Sequence, residues 1–229
     1  TGLRCRRTLT GLIGLALMLS AADPAFADGL KLKVVAKEPP AELDASIRAT
    51  LQAKAVQLLD GDAPAIEFWF RTEVPLTAQP ASAEKAMDAL RQATLLGAVA
   101  VRAARRDYKD NALGTGVHTM RFALQPQNGD HLGTSDFNYY LVLVPVKLDP
   151  KLEGIADYKA LVKASSLETS TEHPVILSLR PVDSASGELP VLSVPAPEHK
   201  AIRLKLSAKA AGSADKTELV FELVYEGKG

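Results

Sequence analysis

The chain has 229 residues, 47% of them hydrophobic, and carries 27 basic and 27 acidic side chains. A formal charge of zero argues against a nucleic-acid partner, because binding to phosphates requires a positively charged surface. Its single cysteine, Cys5, excludes a scaffold held together by disulfides within the chain, so the fold must depend on a hydrophobic core.

The first 27 residues have the pattern of a secretory signal peptide. Three arginines among the first seven residues precede an apolar run over residues 9–19, and residues 25–27 form a small-x-small cleavage site. The run is too short to cross a bilayer, which needs about 20 residues. We therefore predict that residues 1–27 are a leader, that the mature protein begins at Asp28 in the periplasm or outside the cell, and that it has no stable membrane insertion. Cleavage would remove the cysteine, three arginines and one aspartate, leaving 24 basic and 26 acidic residues, a net charge of −2.

Strands separated by turn residues dominate the first half of the mature chain. Residues 30–36 predict a strand, and apolar residues spaced by four over 43–51 predict a short amphipathic helix. Residues 56–71 alternate around an Asp-Gly-Asp turn and predict a hairpin with an inward aromatic face. Residues 82–92 predict a helix of two to three turns, and residues 95–103 a strand.

The second half begins with the clearest hairpin, formed by residues 117–124 and 137–146. Residues 155–164 predict another short helix. Four further strands are predicted over residues 175–179, 189–194, 202–206 and 219–225.

About ten regularly spaced strands with two or three short helices predict a mainly β protein. The absence of alternating strand–helix–strand order favours an antiparallel β-sandwich of the immunoglobulin-like or jelly-roll-like type. We expect residues 28–229 to form one decorated sandwich domain. A subdivision near residues 149–171 is the alternative.

The densest polar segment begins at Asp107 and includes the turn of the second hairpin. If the two strands of that hairpin pair, Asp130, His131 and Asp136 lie together at one end of the sandwich, where loops commonly carry binding residues. An imidazole beside carboxylates can bind a divalent metal or transfer a proton. The sequence thus predicts a ligand or metal site at Asp107, Asp130, His131 and Asp136, and ordinary solvation of polar loops is the competing explanation.

Trp69 is the single tryptophan of the chain, and it alternates with Phe68 and Phe70. It therefore faces away from the predicted aromatic core face. An outward Trp69 would be a contact for a glycan or a protein partner. A second core face covered by one of the helices explains the same residue without a ligand.

The functional prediction is an exported, non-enzymatic binding or accessory protein with an unknown protein or glycan partner and no cofactor. The chain contains no Gly-x-Ser-x-Gly and no His-Glu-x-x-His sequence, which are common hydrolase motifs. One alternative is a metal-binding protein or metal-assisted enzyme that uses residues 130–136 and a divalent metal. The other is a carbohydrate-binding module that uses Trp69.

A resemblance supports the prediction of export. Residues 116–126 read GVHTMRFALQP, residues 129–133 read GDHLG, and the return strand ends in LVP at residues 143–145. This segment resembles part of exported bacterial proteins of unassigned activity. The resemblance implies a bacterial exported β-sandwich and identifies no catalytic residue.

Overall fold

The computed structural model describes residues 30–82, 85–108, 111–125, 138–167, 169, 173–182 and 187–227. Within these ranges the chain is mainly β, as predicted, with thirteen strands and two α-helices. The strands are β1 Leu30–Ala36, β2 Lys54–Asp60, β3 Ala63–Phe70, β4 Val74–Leu76, β5 Leu95–Val101, β6 Arg105–Arg106, β7 Ala112–Leu113, β8 Gly116–Leu124, β9 Tyr139–Pro145, β10 Ile176–Pro181, β11 Val191–Ala196, β12 His199–Ala210 and β13 Lys216–Glu226. The helices are α1 Ala45–Arg48 and α2 Tyr158–Ser166.

Ten of the strands form one continuous sheet in the order β1-β2-β3-β5-β8-β9-β10-β13-β12-β11, and every neighbouring pair is antiparallel. The short strand β4 lies off this path and pairs with β12 in parallel, which makes the sheet mixed. The predicted sandwich is not confirmed, because the strands form a single curled sheet, a half-barrel. Period-two alternation predicts which face of a strand is buried, but it does not predict which strand is its neighbour.

The main hydrophobic core fills the inside of the half-barrel. Val56 on β2 and Phe70 on β3 belong to the same buried cluster as Leu204 and Leu206 on β12. Since these strands lie near opposite ends of the sheet, they share a core only because the sheet curls back toward itself.

Three smaller clusters cover the outer face of the sheet, one of them formed by Tyr108, Ala201 and Val224. Residues around α1, including Ile47, pack over Trp69 and Leu95. Helix α2 contributes Leu161 to a cluster with Val142 on β9. Several central strands are therefore buried on both faces, which explains why all seven residues of β5 are buried.

Both predicted hairpins are present. Strands β2 and β3 pair around a turn in which Gly61 has a φ of +61°, and β8 pairs with β9 from His118–Pro145 to Leu124–Tyr139. Strand β4, which contains Pro75, is not among the strands that the sequence predicts. Proline is tolerated there because β4 is a short strand with one partner.

The predicted helices differ from the structure in length and number. The first is the single turn α1, capped by the Asp44 carboxylate, which accepts a hydrogen bond from the Ser46 amide at 2.8 Å. In the described part of residues 82–92 the predicted helix is wrong. A 3-10 turn over Met87–Ala89 is followed by extended backbone at Leu90, and this path buries Met87 in the core. In the described ranges no helix combines the length and apolarity that a membrane span requires.

Candidate binding cleft

Three of the four polar residues predicted as a site, Asp130, His131 and Asp136, lie outside the described residues. The fourth, Asp107, is fully buried. Its Oδ1 accepts a hydrogen bond from the Asn111 amide at 2.8 Å, and its Oδ2 accepts one from the Ile176 amide at 3.0 Å. Asp107 thus anchors its loop to β10, a structural use of both carboxylate oxygens.

The described residues do not assemble a metal site. No group of three or more His, Cys, Asp and Glu side chains is close enough within the described ranges to hold an ion. A metal site at residues 130–136 stays a prediction.

Trp69 lies beneath the segment that contains α1 and has no exposed surface. Its indole Nε1 donates a hydrogen bond to the Lys37 carbonyl at 3.0 Å, and the Lys37 ammonium lies 5.7 Å from the ring centroid. The structure therefore matches the alternative of a second core face. Trp69 offers no ring surface on which a glycan could stack.

A cleft of about 290 Å³ lies where β12 approaches the inner face of β2 and β3. It is a candidate binding site, because it combines a buried apolar floor with polar side chains at its rim. The cleft is lined by Gln52, Lys54, Val56, Phe70, Gly187, Leu189, Pro190, Leu204, Lys205 and Leu206.

One wall of the cleft is the edge of β12. Leu204 and Leu206 belong to the core inside the half-barrel, whereas Lys205 points to the other face and is exposed. Side chains from both faces of the sheet can line the same cleft only at the edge of a strand. The backbone of β12 therefore forms this wall.

That edge has a gap in its strand pairing. Strand β13 occupies one edge of β12 over residues 200–209. On the other edge β11 pairs as far as Arg203, and β4 pairs only from Ala208 onward. Among the described strands none pairs with residues 204–207 on this side, where Leu204, Lys205 and Leu206 line the cleft.

The opposite wall is formed by side chains from the start of β2 and the end of β3. Val56 and Phe70 are both about 5% exposed and give an apolar floor. Gln52 is held in place by a 3.0 Å hydrogen bond from its Nε2 to the Arg71 carbonyl. Lys54 is exposed at the rim, with no carboxylate partner among the described residues.

An ion network around the buried Glu67 carboxylate supports this wall on the outer face of the sheet. Glu67 on β3 is almost fully buried and accepts hydrogen bonds from Lys37 at 2.5 Å, Gln57 at 2.7 Å and Arg102 at 2.8 Å. Burial by itself would raise the pKa of the Glu67 carboxyl, but these three donors outweigh it and hold the pKa below its ordinary value. The network joins β2 to β3 and to the segments that follow β1 and β5.

The rim carries positive charge from two lysines. The Lys205 ammonium is 2.9 Å from the Glu218 carboxylate, but both side chains are exposed and Lys205 remains able to change partners. Together with Lys54 it favours an anionic group at the mouth of the cleft.

The sequence did not identify this site. Alternation over residues 202–206 marks β12 as a strand with a polar face, but the gap depends on where β4 and β11 meet it. A scan against protein-family models, a search of curated proteins and a search of solved structures each found no match.

Proposed function

We propose that this chain is an exported, non-enzymatic binding protein whose ligand occupies the cleft between β12 and the β2–β3 face. The observation that carries the proposal is the interrupted edge of β12, which faces an apolar-floored cleft of about 290 Å³. The leader pattern of residues 1–27 supports a place in the periplasm or outside the cell.

The chemistry of the cleft favours binding over catalysis. Its described lining provides two ammonium groups and one amide as polar side chains, and no His, Asp, Glu, Ser or Cys. General acid–base or nucleophilic catalysis needs a nucleophile or proton acceptor next to a partner that activates it. The lining instead offers apolar surface, cations and a strand edge.

A cysteine reporter tests the proposal, because Cys5 is the single cysteine of the chain. In a Cys5→Ser background, Leu189→Cys places an environment-sensitive fluorophore in the cleft. Ala214→Cys, in the exposed turn between β12 and β13, is the matched control. The probes are short peptides, a β-linked glucose oligosaccharide, a long-chain fatty acid and zinc chloride.

The expected result is a saturable change in fluorescence at position 189 with at least one organic probe, and none at position 214. A cleft that responds to no probe would contradict the proposal. A response to zinc alone, accompanied by bound metal in the purified protein, would favour the metal-binding alternative. A response to the oligosaccharide alone would favour a carbohydrate-binding module that does not use Trp69.

A further inference from the structure

We infer that the ligand of this cleft is an extended polypeptide strand that pairs with residues 204–207 of β12. The inference rests on the proposed function, since it takes the cleft to be the binding site and names the class of ligand. It follows from three features of the cleft wall: a stretch of β12 with no partner on this side among the described strands, the length of that stretch, and the alternation of its side chains.

The backbone of β12 provides the first argument. Strand edges bind extended peptides because their free N–H and C=O groups form the same ladder that joins neighbouring strands. The partners of β12 on this edge stop at Arg203 and resume at Ala208. A bound strand would therefore fill the gap between β11 and β4 along this edge of β12.

The length of the gap limits the ligand to a short segment. The distance along β12 from Arg203 to Ala208 covers five residue steps, or about 17 Å at 3.3 Å per residue. About four to six residues of an extended peptide fit this span. A longer partner would have to enter and leave the cleft on either side of this segment.

The side chains of β12 predict the sequence pattern of the ligand. Residues opposite Leu204 and Leu206 would face the inside of the half-barrel above Val56 and Phe70, where apolar side chains are favoured. The residue between them would lie beside Lys205 on the outer face, where a carboxylate is favoured. The predicted ligand therefore alternates apolar and acidic residues.

The open edge of β1, at one end of the sheet, carries charged side chains and offers a control. Strand β1 pairs only with β2 among the described strands and exposes alternating lysines, including Lys33. Charged side chains on an edge strand discourage pairing. A peptide specific for the cleft should be insensitive to substitution there.

The test uses capped hexapeptides of alternating valine and glutamate, or of alternating valine and lysine. Binding is measured by calorimetry and by the reporter at position 189. We expect the glutamate peptide to bind at least tenfold more tightly than the lysine peptide. Lys205→Glu should reverse that preference, whereas Lys33→Glu, on β1, should leave it unchanged. Circular dichroism establishes that each variant is folded.

N-methylation separates strand pairing from simple charge attraction. In an extended peptide the valine N–H groups point to one edge and the glutamate N–H groups to the other. Methylation of one set should abolish binding and methylation of the other should preserve it. Equal affinity for the two methylated peptides would overturn strand pairing. So would a Lys33→Glu effect as large as that of Lys205→Glu.

The two proposals fail in different ways. If the reporter responds to the fatty acid or the oligosaccharide but to no peptide, the cleft is a binding site and the inference of a strand ligand is wrong. If it responds to none of the probes, both proposals are wrong.

Discussion

Arg121 on β8 and Asp149, in the segment after β9, form an ion pair that is almost completely shielded from solvent. The guanidinium Nε and Nη2 donate to the two carboxylate oxygens at 2.7 and 3.1 Å. Its other donors reach the carbonyls of Ala93, Lys151 and Leu152, so all five N–H groups are used. The pair therefore holds the segment after β9 against the outer face of the sheet.

Arg121→Met should destabilise the protein by about 3–5 kcal/mol, because it leaves the buried Asp149 carboxylate without its cation. Chemical denaturation followed by circular dichroism measures the change. Lys31→Met is the matched control, since Lys31 lies 4.0 Å from Asp62 in an exposed pair and its loss should cost less than about 1 kcal/mol. Similar losses of stability in the two variants would show that burial does not increase the contribution of the Arg121–Asp149 pair to stability.

Gly154→Ala should also destabilise the protein, for a steric reason. Gly154 has a φ of +72°, and a Cβ there would lie 2.6 Å from the Arg121 Cζ. Gly212 has a comparable φ of +76°, but a Cβ there would meet no atom within 4 Å. Gly212→Ala therefore measures backbone strain alone, which costs about 1 kcal/mol. Thermal unfolding of both variants should show the larger loss for Gly154→Ala. Equal losses would mean that Arg121 moves aside without cost.

Glu67 should make stability depend on pH in the acidic range. Because the folded-state pKa of Glu67 lies below its ordinary value, ionised Glu67 stabilises the fold above the unfolded-state value of about 4.5. That contribution disappears as the pH falls through the folded pKa. Glu67→Gln should cost about 2 kcal/mol at pH 7 and much less at low pH. Urea unfolding at several pH values measures this difference, and parallel curves for wild type and variant would contradict it.

Trp69 should report a buried, rigid environment, since it is the single tryptophan and has no exposed surface. We expect native fluorescence with a blue-shifted maximum and little quenching by iodide, and a shift to longer wavelength with strong quenching after unfolding. Oligosaccharides should leave the native spectrum unchanged. Efficient quenching of the native protein would show that the segment around α1 opens.

Export should be visible at the N-terminus of the protein produced in a bacterial host. If residues 1–27 act as a leader, the periplasmic or secreted protein should begin at Asp28 by N-terminal sequencing. Ala27→Arg should block cleavage, because the site requires a small residue. Ala36→Arg, at the exposed end of β1, controls for the added charge. A cytoplasmic, uncleaved wild-type protein would contradict export.

Local regularities of the sequence were enough to predict many elements. Strand β1 was predicted at its observed bounds, Leu30–Ala36, and the turn at Gly61 was predicted from its acidic neighbours. The helix predicted over residues 82–92 failed because helix-forming composition was overridden by burial of Met87 in the core. The predicted sandwich is not confirmed, because alternation is a property of each strand separately and does not specify how the sheet curls.

The sequence by itself determined the mainly β character of the chain, its reliance on a core without intramolecular disulfides, and the apolar and polar faces of strands such as β12. These depend on residue type and spacing, which act over a few neighbouring positions. The tertiary structure decided that Trp69 and Glu67 are buried on the outer face and that β4 meets β12 more than 130 residues away along the chain. It also decided that residues 204–207 face a cleft. Such features arise from long-range strand pairing and from the curl of the sheet, neither of which is encoded in a local pattern.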